Sequence, residues 1–374
     1  MDFMKTLAEG FARRSDVTDG RRLGLLDGSD WRSADQPKSS FARSGPRESR
    51  DRSRASTRPV NLAEERDRAR KIVEAAKETI SATFAEIRFG HRINTAVLGP
   101  VVAAIAESVA RCPTALPGVT RLKERHEYTY LHSIAVCGLM LGLARDLDLD
   151  QALTDEIGLA GLLHDVGKAL VPLKLLDKPG PLDLHEYAVV QKHSKRGYDL
   201  LIESGIESPI ALDVCLHHHE RVDGSGYPSG ISSPTLSIFA RMAAVCDVYD
   251  AVTSSRSYKA SWSPGTALGW MAGTAGQFDP RVLRIFRRMI GIFPIGSLVR
   301  LESERLAVVL DEPADDPFTP DVCVFMCAKS RRPLEPVRTG TRSDPILSLE
   351  EPQRWGFKEW DKKELELVST LLSR

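Results

Sequence analysis

The chain has 374 residues, 42% of them apolar and 27% charged, with 51 basic side chains balancing 51 acidic ones. At about 150 residues per domain, this length suits two domains or one large domain with an appendage, with enough apolar residues for a sizeable core. The zero net charge excludes a global electrostatic case for a nucleic-acid polymer or an anionic membrane as partner.

Residues 1–60 are rich in Ser, Arg, Asp and Gly and show no sustained apolar period. The run S-G-P-R-E-S-R-D-R-S-R-A-S-T-R-P buries too little surface to offset its ordering entropy, so the segment reads as a disordered arm or linker. Its start lacks an apolar signal core, and no secretory leader is expected. From Asn61 the pattern changes. Asn61 can cap a helix with Glu64 in capping-box position, and helical spacing runs through Ile72, Ala75, Ile80 and Phe84. Further helical segments follow at about 95–111, 126–146, 151–166, 185–203, 207–219, 235–253, 264–275 and 280–291, with almost no strand signal. Residues 61–293 therefore read as an all-α domain. Its most apolar run, Ala96 to Ala106, contains Pro100 and falls short of the roughly 18–20 residues that span a bilayer.

Residues 294–374 read as a small β-containing appendage. G-S-L-V-R-L-E-S-E-R-L-A-V-V-L-D-E suggests a hairpin, V-C-V-F-M another strand, and D-K-K-E at Asp361 opens a final amphipathic helix. The six cysteines form no C-x-x-C pair and mostly sit in apolar runs, so they read as buried reduced thiols. Cys323 and Cys327 would share a face whether their segment is strand or helix. A reducing compartment and a cytoplasmic protein are the expectation.

Histidine carries the chemical signal. There are nine in the chain, and eight lie between His126 and His219. His164 and Asp165 end the apolar helix A-L-T-D-E-I-G-L-A-G-L-L, offering an imidazole beside a carboxylate able to bridge two cations. His132 lies in the preceding helix, while His126, about 240° around it, cannot face the same ion. His193 faces inward from the next helix. His217, His218 and His219 end another, where helix geometry prevents all three from facing one site. Asp247 sits in F-A-R-M-A-A-V-C-D-V-Y-D-A-V, where an unpaired carboxylate is costly and cation coordination removes the cost. Mixed imidazole and carboxylate without thiolate favours Fe, Mn or Zn, and the ligand count exceeds one tetrahedral shell. Two metals bridged by Asp165 and a hydroxide, attacking a phosphate ester, is the economical reading. Asp250, one turn after Asp247, would hold a ligand or Lys168, and Glu220 would support a ligand histidine or the following loop.

H-D-V-G-K (164–168), H-H-E-R-V-D-G-S-G-Y-P (218–228) and D-V-Y-D-A-V-T-S-S-R-S-Y-K (247–259) resemble the HD superfamily of metal-dependent phosphohydrolases, specifically its HD-GYP branch. The resemblance covers about Asn61 to Pro294 and implies an HD-superfamily helical bundle. It implies a cyclic di-GMP phosphodiesterase that opens the ring to linear pGpG, and sometimes continues to GMP. It also implies two divalent ions, Fe or Mn, with His132, His164, Asp165 and Asp247 on the first. Asp165, His193, His218 and His219 then hold the second, and His217 is left out. Lys168 would face the scissile phosphate and the bridging hydroxide, and Arg256 and Lys259 would bind phosphate. Gly226, Tyr227 and Pro228 would shape the guanine side of the pocket. Some members place a glutamate one turn before the first histidine and bind a third metal. Tyr128 stands there in this chain, which implies two metals and slow hydrolysis of pGpG. Signalling proteins are possible further partners. The alternatives are an HD phosphohydrolase for another cyclic dinucleotide or nucleotide, and a non-catalytic module that binds nucleotide or a partner. Loss of a ligand would mark the last, and the two-metal set here is complete.

Overall fold

The computed structural model of the chain describes residues 62–113, 115–120, 128–178, 180–254, 262–291, 293–311 and 319–372. The expected N-terminal arm, the Asn61 cap, His126, Arg256 and Lys259 lie outside the described residues. Everything described falls in one unit, Val60–Arg374.

Helices dominate as far as Ile290. They are α1 (Leu62–Arg88), α2 (Leu98–Arg111), α3 (Ala115–Thr120), α4 (Tyr128–Asp146), α5 (Gln151–Leu163), α6 (Leu173–Leu176), α7 (Leu184–Gln191), α8 (His193–Glu203), α9 (Pro209–His217), α10 (Ile238–Thr253), α11 (Pro264–Gly273) and α12 (Pro280–Ile290). The axis of the packing is α4, apolar on every side, with all of Leu131 to Ala144 buried. It packs on α1, α2, α3, α5, α10 and α12. No helix among the described residues is long and apolar enough to cross a membrane.

Side-chain caps set where several helices begin. Asp150 accepts from Leu153 N, Ser208 from Ala211 N and Ser237 from Ala240 N, starting α5, α9 and α10. Asp183 and Glu186 form a reciprocal capping box on α7. The expected helix at 185–203 is in fact two. Lys192 is both the end of α7 and the cap of α8, with no glycine or proline to announce the break. The helix expected at 151–166 stops at Leu163, and a 3₁₀ turn follows over Val166–Leu170.

The chain then forms a five-stranded antiparallel sheet of order β4-β3-β2-β1-β5. Its strands are β1 (Leu298–Leu301), β2 (Arg305–Val309), β3 (Asp321–Cys327), β4 (Pro333–Gly340) and β5 (Ile346–Leu349). One face packs Leu306, Val308, Cys323 and Phe325 against Trp360, Leu367 and Val368 of α13 (Trp360–Leu372). The other face gathers Val299, Leu301, Ala307, Val309, Val322 and Val324. The hairpin β1–β2 and the strand β3 coincide with the sequence expectation, whereas β4 and β5 fall where Pro, Gly and Asp obscure any strand pattern. As a sheet edge β4 tolerates Pro333 and Pro336, because a prolyl nitrogen needs no partner on the open side. The register between β3 and β4 slips between Val324 and Met326, so Phe325 and Met326 enter the same cluster. That slip ends the strict alternation on which a shared face for Cys323 and Cys327 depended. Cys323 is in the cluster and Cys327 is outside it.

Asp279 joins two helices. Its carboxylate caps α12 by accepting from Arg281 N at 2.7 Å and Val282 N at 3.1 Å, and it pairs with Arg241 of α10 at 2.5 Å. Burial pushes this carboxyl up, but the bonds from Val282, Arg241 and Arg281 outweigh it and hold the group below its usual range. A depressed folded value means the stabilisation is complete above the unfolded pKa of about 3.9 and is lost as pH falls through the folded one. Asp279→Ala should cost about 1–2 kcal/mol near neutral pH. Urea midpoints measured down a pH series should converge for the two proteins in acid. A gap independent of pH would exclude the carboxylate as its source.

Candidate metal centre

Five segments converge on Asp165. His132 comes from the second turn of α4. His164 and Asp165 follow the last turn of α5, and Lys168 lies on the 3₁₀ turn after them. His193 opens α8, His218 and His219 follow α9, and Asp247 and Asp250 lie on α10. A close backbone approach brings His193 to Asp165. A Cβ on Gly167 would lie 1.9 Å from the His193 carbonyl oxygen and 2.6 Å from Gly197 N. Only glycine lets the turn press on the start of α8.

Asp165 is fully buried and its two oxygens face different histidines. Oδ1 lies 3.2 Å from His193 Nε2 and 3.6 Å from His218 Nε2. Oδ2 lies 3.5 Å from His132 Nε2 and 3.3 Å from His164 Nε2, and it also meets the Lys168 ammonium. Asp247 stands between the two groups, with Oδ1 2.9 Å from His132 Nε2 and Oδ2 3.6 Å from His219 Nδ1.

The outward-facing nitrogens fix what the inward ones carry. His164 Nδ1 lies 2.8 Å from Gly161 O, His193 Nδ1 2.7 Å from Val190 O, and His218 Nδ1 3.0 Å from Val214 O. His132 Nδ1 lies 2.6 Å from Asp250 Oδ2. Because a carbonyl only accepts, the Nδ1 atoms of His164, His193 and His218 donate, and each of these neutral rings turns its Nε2 lone pair inward, whereas His132 meets a carboxylate at both nitrogens. His193 and His218 then oppose two lone pairs at 3.3 Å, beside an Asp165 Oδ1 that is buried without a hydrogen-bond partner. Positive charge must compensate three converging acceptors, and a cation suits them. Two sets, His132–His164–Asp165 and Asp165–His193–His218–His219, each place their donor atoms within 4.8 Å of one another. Asp165 belongs to both.

Electrostatics point the same way. Burial pushes the Asp165 carboxyl up, but the Lys168 ammonium beside it, first among the opposing causes, holds the group well below the carboxylate range. Asp247 is likewise lowered against its burial, first by the bond to His132. Burial lowers His193 and His219, favouring the neutral imidazole that donates a lone pair. His132 is raised against its burial by Asp247 and Asp250. Burial pushes the thiols of Cys215 and Cys246 up, so neither supplies a thiolate.

Of the residues singled out in the sequence, His132, His164, Asp165, Lys168, His193, His218, His219 and Asp247 are therefore gathered in one cluster. His217 turns away to pair with Asp213 at 2.9 Å. His91 and His185 are exposed. Of the two roles open to Asp250, it takes the bond to His132. Glu220 takes the loop, accepting from Ser229 N at 2.7 Å and Gly230 N at 3.0 Å. Tyr227 of that loop lies against His219, ring centroids 4.7 Å apart. Gly226 cannot be larger, since its Cβ would sit 2.4 Å from Glu220 Cα. Gly167 and Gly197 had no place among the sequence candidates. The signal for Gly167 was its place in H-D-V-G-K, read only as part of a motif, and Gly197 had none.

A buried His–Asp cluster at the meeting of helix ends defines a class of helical metallohydrolase-type centre. The HD domain family matches residues 113–282. A cyclic di-GMP phosphodiesterase of Pseudomonas aeruginosa is 45% identical over 307 residues, 81% of this chain and 74% of that protein. The cyclic di-GMP phosphodiesterase response regulator RpfG of Xanthomonas campestris is 40% identical over 150 residues, 39% of this chain and 38% of that protein. An HDG"Y"P protein from Bdellovibrio bacteriovorus shares the fold at a TM-score of 0.50 and 17% identity, covering 63% of this chain and 74% of that one. This chain belongs to the HD domain family, in its HD-GYP branch.

Asp165→Ala should abolish uptake of metal at both positions, because both groups share that carboxylate. Gly167→Ala should weaken the position that His193 shares, by separating His193 from Asp165 without removing any ligating side chain. Metal content by plasma mass spectrometry, with helicity checked by circular dichroism, reads the result. A folded Asp165→Ala protein with a full complement would remove Asp165 from the bridge.

Proposed function

We propose that this protein hydrolyses cyclic di-GMP to pGpG at a centre holding two divalent ions, Fe or Mn. The observation that carries the proposal is the single buried Asp165 carboxylate, whose two oxygens address separate groups of inward-facing imidazoles. The names of its Pseudomonas and Xanthomonas relatives support the substrate. Two such ions bound there polarise a phosphodiester and supply a water-derived nucleophile at neutral pH.

The protein's own residues do the rest. His132, His164, Asp165 and Asp247 hold one position, and Asp165, His193, His218 and His219 the other. Asp250 and the helix-end carbonyls keep the rings in the donating tautomer. Lys168 is half held by Asp165 and partly exposed, so its ammonium can also meet a phosphate oxygen and stabilise charge that grows in the transition state. Arg256 and Lys259 follow α10 in sequence, and the resemblance gives them the remaining phosphate oxygens. Gly226, Tyr227 and Pro228 border the His219 side, where a base would lie.

The identity of residue 128 bears on the product. Tyr128 stacks on His132, centroids 5.7 Å apart and planes 11° from parallel, so a phenol ring covers the position one turn before that ligand. The linear product bears a terminal phosphate with extra negative charge, which two ions compensate less well than three.

Protein purified without oxygen and given cyclic di-GMP should accumulate pGpG, with GMP only on long incubation, as read by anion-exchange chromatography. Tyr128→Glu should bind more metal and form GMP faster. Rapid GMP release by the unaltered protein with two ions per chain would sink the assignment. Lys168→Ala should keep its metal and lose on the order of 10²–10³ in kcat. Steady-state rates equal to wild type would place Lys168 outside the reaction.

A further inference from the structure

His219 differs from the other four histidines of the centre. Each of those has Nδ1 bonded to a carbonyl or to Asp250, whereas the His219 ring makes no hydrogen bond among the described residues. Its nearest polar contact is Asp247 Oδ2, 3.6 Å from Nδ1. Only ring contacts orient it. His218 lies at 4.0 Å, His193 at 5.0 Å and Tyr227 at 4.7 Å between centroids. The first two are candidate ligands themselves, so among the described residues Tyr227 is the ring contact to His219 from outside the metal set.

Tyr227 is in turn tightly placed. The loop folds back on its own start, where Gly226 fits only without a Cβ and Tyr227 N donates to His219 O at 3.3 Å. Glu220, 2% exposed, clamps the far side by accepting from Ser229 N and Gly230 N through Oε1. An outer brace comes from the α11–α12 connection. Asp223 N donates to Gly276 O at 3.0 Å, and a Cβ on Gly276 would strike Asp223 Oδ2 at 2.5 Å.

We propose that Tyr227, held by Glu220, orients His219 as a metal ligand, so that the G-Y-P loop sustains the second metal position as well as bordering the substrate. This rests on the two-metal reading above. Tyr227 and Glu220 are positioning residues here, acting through His219. A ring packed on one side of an imidazole replaces the hydrogen bond that fixes each of its four companions, and outer supports of that kind are worth about 10- to 100-fold in metal affinity.

The test is Mn²⁺ titration of the full-length, chelator-stripped protein without substrate, following free Mn²⁺ by electron paramagnetic resonance. Wild type should bind two ions. Tyr227→Ala and Glu220→Ala should each weaken one of the two by about 10- to 100-fold and leave the other unchanged. Tyr227→Phe keeps the ring, and Glu220→Gln keeps an oxygen that accepts from both amides, so both should bind as wild type does. Two ions held at wild-type affinity by Tyr227→Ala and Glu220→Ala would overturn the proposal and leave the loop to the substrate alone. Equal weakening of both ions, together with a lower melting temperature, would also overturn it, as a general loss of structure. If Tyr227→Ala fails to fold, the Glu220 pair decides, because neither change touches the ring. Fewer than two ions in wild type would instead refute the two-metal reading itself.

Discussion

The arrangement depends on one buried carboxylate. Asp165 is taken wholly out of water, and removing a charge from water is tolerable only where opposite charge or strong donors replace the solvent. Lys168 supplies part of that charge from one side. Around the remaining directions stand imidazole lone pairs, which supply none. The geometry is thus complete for a cation and frustrated without one.

Around that point the protein separates duties by distance. Inward nitrogens face the cluster, and outward nitrogens are tied down by carbonyls of Gly161, Val190 and Val214, each within four residues of its histidine. Such short-range ties need no distant element to be in place. His132 is the exception, since Asp250 reaches it from α10 and makes the α4–α10 contact part of the ligand geometry. Disturbance of the α4–α10 packing therefore falls first on the His132 side of Asp165, and disturbance of the loop after α9 on the His219 side.

Much of this was legible before any coordinates. Scarce histidines embedded in apolar helical runs have few stable explanations, and the separation of His132, His164, His193 and His218 onto different helices followed from spacing alone. The helical domain, the hairpin and the final helix showed in their apolar periods. Other features had no local signature. The break at Lys192 has no glycine or proline to announce it. The tautomer ties run to backbone carbonyls, which every residue possesses and no sequence advertises. Strands β4 and β5 are the sheet edges; β4 carries Pro333 and Pro336, and β5 is only four residues long, so neither offers a clear strand pattern.

The positions of three helix ends have a consequence for the field at the cluster. His164 and His218 are the residues at which α5 and α9 stop, and α7 ends at Gln191, just before His193. Each carboxyl end carries about half a negative charge that is felt over its last turn. Added to Asp165 and Asp247, and opposed by Lys168 and by the amino end of α8, this adds negative potential at the cluster. Such a potential draws in dications and repels a phosphodiester. Cations held there would offset that field for an anionic ligand.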